Sequence, residues 1–438
     1  MAEELSLEPD NFSVDLQWPA SAEAGGNPLL DASIARFDMK AGESSLTSYL
    51  GDDGMTNSYL TVPAYYMVEW LAQNWWAFLY EPRKLDSTEA ESEFRSRHWL
   101  AIARHGFALP DVMFSPSGPT IEITARQCYL RFAKLSFTAS GTSVVRTEIV
   151  RDQLTKFIEA ILARMKEKGV SSEAHEAWRR IQETSSEEEN YCRLIGSMGL
   201  SPYVSHPEID KALDQISDSI TDSALEDLCE AATFSSFKRA AEFTGRISDA
   251  LAKSDAIDIE PFVKLEKPVD DLRHAYDWGY RAAEQARRAL GIANDDPNGR
   301  MEFFRKLGMD PKSTTDIGTA VSTVFPIQAA VACEQKKMKL ALSSGTDKEF
   351  SAARASFLAW VSGDSSRLVT TSRTRQQRAS RAFGAELLAP AEYLKKRLGR
   401  ELDVSPFTLD KLSSDIGVAS TIVRLQAQNK GYRILEAA

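Results

Sequence analysis

Apolar and polar positions change period several times along this chain, and each change predicts an element. Up to about residue 55, Gly, Ser, Asp and Pro recur with little helical periodicity, predicting an irregular or strand-containing lead-in. From Ser58 to Tyr80 apolar and aromatic residues fill a helix-length window, where Trp70, Trp75, Trp76 and Phe78 would bury a large area if packed together. A second helix is expected from Ser87 to His105, closed by Gly106, before a loop that starts at Ala108. Two alternating, β-branched runs, 120–125 and 127–133, predict strands paired as a hairpin or small sheet. From Arg146 the period turns helical, with Ile149, Leu154, Phe157, Ile158, Ile161 and Leu162 on one stripe, and helices are expected to dominate to the end. Ser185 followed by Glu187 and Glu188 reads as a helix start, and 199–207 as a turn-rich connector. Periodicity lapses again between Asp255 and Pro268. The pattern therefore implies a mainly α chain with a small β component (α+β), divided as 1–145, 146–268 and 269–438.

Length and composition fit that division. At 438 residues the chain exceeds the size at which single cores stop growing. A hydrophobic content of 43% and a charged content of 26% are those of an ordinary globular protein. A net charge of -11 argues against a whole-surface grip on nucleic acid. The most apolar window, 62–80, is broken by Glu69, Gln73 and Asn74, so no membrane span is expected. The acidic start has no apolar run behind a basic segment, and Cys128, Cys192, Cys229 and Cys333 are widely scattered. Both features point to a cytoplasmic protein with reduced thiols.

Chemistry-bearing motifs are scarce. Glycine-rich phosphate and dinucleotide loops and the G-x-S-x-G elbow are absent, so no cofactor is implied. His98 and His105 lie seven apart on an expected helix, about 10 Å along its axis, too far to share one zinc. His175-Glu begins like a zincin motif but reaches Arg179 where the second His belongs.

Three patterns nonetheless occur in order. Trp278-Gly-Tyr-Arg-Ala-Ala-Glu-Gln-Ala-Arg-Arg-Ala-Leu-Gly-Ile is followed by a short helix over 301–308. Arg381-Ala-Phe-Gly-Ala-Glu-Leu-Leu-Ala-Pro comes next, and Asp415-Ile-Gly-Val-Ala-Ser-Thr-Ile-Val-Arg-Leu closes the series. Together they make residues 276–432 resemble an ImmA/IrrE-type zinc metallopeptidase domain. That resemblance implies a zincin-like fold and a bacterial regulatory, mobile-element or defence setting, because members act on helix-turn-helix repressors. It also implies where zinc should sit, and there the chain departs from the pattern. Phe350-Ser-Ala-Ala-Arg-Ala-Ser-Phe-Leu aligns with the helix that carries H-E-x-x-H, placing Arg354, Ala355 and Leu358 at the His, Glu and His positions. Gln377 stands at the third-ligand Glu. The expectation is a non-catalytic relative without metal.

One charge asymmetry remains. Residues 351–400 hold ten basic residues, Arg400 among them, against Asp364, Glu386 and Glu392. Arg367, Arg373, Arg375, Arg378 and Arg381 would surround the former metal cleft and are the candidate binding residues. An acidic protein segment, a nucleotide or a nucleic-acid backbone could dock there, a protein partner being favoured. The bland alternative is a solvated face, with Arg354 or Arg381 pairing Glu386 internally. A hydrolase with a non-standard site, using His98, His105 or His274, is the other alternative.

Overall fold

The computed structural model describes residues 11–20, 25–84, 88–217, 219–237, 240–260, 264–272, 274–318, 327–363, 365–399 and 402–435. Runs of strands and runs of helices follow one another, and most strand pairs are antiparallel, so the protein is α+β. It forms two compact units, Met1–Ser205 and His206–Ala438. The division falls inside the stretch 146–268: its helices up to Ser197 join the core of the first unit, and those from Pro207 onward belong to the second. None of the helices among the described residues is long and apolar enough to cross a membrane.

In the first unit the helix Tyr65–Tyr80 buries Trp70, Trp75, Trp76 and Phe78 and packs against helices Thr147–Glu167, Glu173–Gln182 and Ser186–Ser197. The tryptophans are therefore core and not a docking face. Gly196 permits the closest of these approaches, since a Cβ there would lie 2.7 Å from the Trp76 carbonyl. The two strands expected over 120–133, as a hairpin or small sheet, form in small sheets but do not pair with each other. Thr120–Arg126 pairs on both sides, with Asp111–Pro116 and Gly141–Arg146, while Cys128–Leu130 pairs with Leu135–Phe137 in another sheet. A single residue, Gln127, separates the two strands Thr120–Arg126 and Cys128–Leu130, and a hairpin turn needs at least two.

The second unit contains a sheet in a stretch where helices were expected to dominate. Ile327–Glu334 lies between Lys337–Leu342 and Ser366–Thr370, all antiparallel, and Ile257–Asp258 extends the sheet at the Lys337–Leu342 edge. Gln335 and Lys336 make the two-residue hairpin turn with φ of 49° and 65°, the left-handed geometry usually given to Asn-Gly. Ala329, Val331 and Val369 face a core shared with the helix Lys348–Ser362, whose residues 351–360 are all buried. Ala330 and Leu368, which alternate with them, are buried as well, and helices Asp222–Ala231 and Ala240–Lys253 also pack on this sheet. Ala275–Ala289 lies along Arg375–Leu388, in contact so close that a Cβ on Gly279 would stand 2.2 Å from the Ala379 carbonyl oxygen.

Candidate functional site

The site is built where the helices Lys348–Ser362 and Arg375–Leu388 meet the strand Ser366–Thr370. Asp347 starts the first helix by accepting the Phe350 amide at 3.0 Å, and Gly363, with φ of 75°, ends it. Arg354 then points into the interior and is 1% exposed. Its Nε donates to Ser380 Oγ at 3.0 Å, and its Nη2 donates to the Thr370 carbonyl and to Gln377 Oε1, both at 2.8 Å. Nη1 donates to Gln328 Oε1. The positions aligned with the first and third zinc ligands thus touch each other, while Ala355 and Leu358 are wholly buried in the apolar core.

Gln377 carries the network onward. Its Oε1 also accepts the Thr370 amide at 3.0 Å, and its Nε2 donates to the Leu368 carbonyl at 2.6 Å and to Asp227 Oδ1 at 3.3 Å. Asp227, 1% exposed, receives a two-pronged grip from Arg367, Nε to Oδ2 at 2.7 Å and Nη2 to Oδ1 at 2.8 Å, and accepts the Leu368 amide at 2.9 Å. Four donors thus converge on one carboxylate. Sequence reasoning missed Asp227, although a signal existed: it shares a helical stripe with Ala224, Leu228 and Ala231, all buried.

Electrostatics divide the arginines. Burial, with Arg381 nearby, lowers the Arg354 pKa well below its usual value, and oxygen acceptors on four residues offset that cost. Burial alone would lower Arg367 too, but Asp227 outweighs it and holds the guanidinium above its ordinary value. Arg375 donates to Asp270 through Nε at 2.6 Å and through Nη2. Arg381 differs. It donates to the Thr370 and Ser372 carbonyls at 3.1 and 2.7 Å, and its pKa is pushed down to about 10 by burial and by Arg373 and Arg378. Arg373 is exposed and Arg378 half-buried. Glu386 pairs with neither Arg354 nor Arg381; it accepts the Ala391 amide at 3.0 Å and Gln426 Nε2. Arg400 and Asp364 lie outside the described residues.

The donor set aligned with the inherited zinc site does not fit a metal: a guanidinium, a methyl, an isobutyl and an amide whose polar atoms already bond one another. Among the described residues no group of three His, Cys, Asp or Glu side chains could hold a metal ion. His98 is fully buried with its ring nitrogens 2.8 and 3.0 Å from the Phe94 and Ala77 carbonyls, His105 stacks on Tyr66, and His274 stacks on Tyr276. No family model, curated protein or solved structure matches the chain. What this arrangement can do follows from its geometry alone: it locks two helices to a sheet through a polar network, with Arg381 bonded to two carbonyls beside it.

Proposed function

We propose that residues 276–432 form a degenerate ImmA/IrrE-type, zincin-like domain. On this reading it does no peptidase chemistry and serves as a cytoplasmic binding module for a protein partner in a bacterial regulatory, mobile-element or defence system. The observation that carries this is the contact between Arg354 and Gln377. The resemblance placed these residues at two ligand positions, and they lie in hydrogen-bond contact with each other where two helices meet. In place of a metal, the buried guanidinium ties the same elements together. Nucleic-acid binding has less support, because Arg354, Arg367 and Arg375 spend their donors inside the unit.

The test is elemental analysis for zinc on protein purified without chelator or metal-binding tag. Zinc below about a tenth of an equivalent is expected, given how tightly protein zinc sites hold their metal. A content near one equivalent that falls when Gln377 is changed to Ala would overturn the reading.

A further inference from the structure

Beside the Arg354 network the second unit has an open cavity of about 540 Å³. That size lies within the range of small-ligand sites and is too small for a folded partner surface. Two parts of its lining bear on what it could hold. Tyr276, Phe350, Ile422 and Leu425 supply apolar wall, with Leu425 58% and Tyr276 42% exposed. Arg378 and Arg381 supply positive charge.

The charge balance of this lining is what calls for a ligand. Elsewhere in the unit Arg367 meets Asp227 and Arg375 meets Asp270, while the more deeply buried Arg354 and Arg287 use all three guanidinium nitrogens on neutral oxygens. Among the described residues Arg381 has no carboxylate partner, only two backbone carbonyls, both on Nη2, and its charged neighbours Arg373, Arg378 and Arg354 are all arginines. Asp347, the acidic residue in the lining, already caps its helix through the Phe350 amide. Gln426 is wholly buried at the same lining and leaves its Oε1 without a partner. A cationic pair at the edge of an apolar concavity fits a molecule with the opposite division: one anionic group on a compact hydrophobic body.

We propose that this cavity binds a small organic anion, its carboxylate, sulfonate or phosphate held by Arg378 and Arg381 and its aromatic or aliphatic body seated against Tyr276, Phe350, Ile422 and Leu425. The site stands on this geometry and does not depend on the ImmA/IrrE reading, so a zinc-containing protein would leave it untouched. Both guanidiniums are planar forks that can pair two oxygens of one anion, which a neutral ligand cannot exploit.

Two fluorescent probes with nearly the same rings test it on the full chain: 1-anilinonaphthalene-8-sulfonate, which is anionic, and N-phenyl-1-naphthylamine, which is neutral. The sulfonate should bind about tenfold or more tightly than the neutral amine, the size of one charge-assisted contact. Arg378→Gln should remove that preference while leaving the amine within about twofold, and Leu425→Glu should weaken both probes about tenfold. Unchanged circular dichroism melting of each variant would keep folding out of the comparison. Absence of binding by either probe, equal affinity for both, or sulfonate binding unaffected by either substitution would overturn the proposal.

Discussion

Arg367 and Arg381 lie fourteen residues apart beside one polar network and are treated in opposite ways. Arg367, 13% exposed, closes on Asp227 with two parallel hydrogen bonds, so its charge is neutralised inside the unit. Arg381 is held by carbonyl oxygens and surrounded by other arginines. The first arrangement completes the structure and asks for nothing from outside. The second pays for its position only in part and leaves attraction available to an anion. A cluster of basic residues in a sequence thus contains two populations, and the partner of each guanidinium tells them apart.

The largest effect should come from breaking the compensated pair. Asp227→Ala leaves Arg367 buried without its carboxylate and orphans the Leu368 amide, so the second unit should lose about 3–5 kcal/mol in denaturant unfolding. Replacing both partners together, Asp227→Leu with Arg367→Met, should cost less than that single change, because no charge is left stranded. A double variant as unstable as Asp227→Ala would show that the pair's other hydrogen bonds matter more than its charges. Arg381→Gln removes a charge that lacks a carboxylate and should cost only about 1 kcal/mol in the same experiment, the scale of its carbonyl hydrogen bonds. A loss near that of Asp227→Ala would erase the distinction.

A smaller effect sharpens the comparison from the first unit, where burial acts on a neutral group. Burial lowers the His98 pKa below 6.5 despite Glu81, whose Oε2 is 3.8 Å away. The unfolded chain therefore binds more protons than the folded one just below that value, and stability is lost as pH falls from about 6.5 toward the lowered pKa. The slope cannot exceed about 1.4 kcal/mol per pH unit for one proton. Thermal melts between pH 7 and 5 should show this slope in the wild type and a flatter one in His98→Gln. Equal slopes would place the acid sensitivity in other groups.

What the sequence by itself determined is local. The 3.6-residue stripe over 146–165 became the helix Thr147–Glu167, and the Ser185 cap with its acidic first turn became the start of Ser186–Ser197, with Ser185 and Glu188 bonding each other's backbone amides. The resemblance to the ImmA/IrrE pattern drew attention to Arg354 and Gln377, which hydrogen-bond to each other. The strand Ile327–Glu334 was hidden because its core is Gln-Ala-Ala-Val-Ala-Cys, which reads as helix until a partner strand supplies hydrogen bonds, and because its turn is Gln-Lys. Tertiary structure alone decided which arginines are spent. Asp227 reaches Arg367 across 140 positions, and Asp270 reaches Arg375 across 105. Charge is written in the sequence residue by residue, but whether a charge is neutralised depends on what folding carries to within 3 Å of it, and no local pattern encodes that distance.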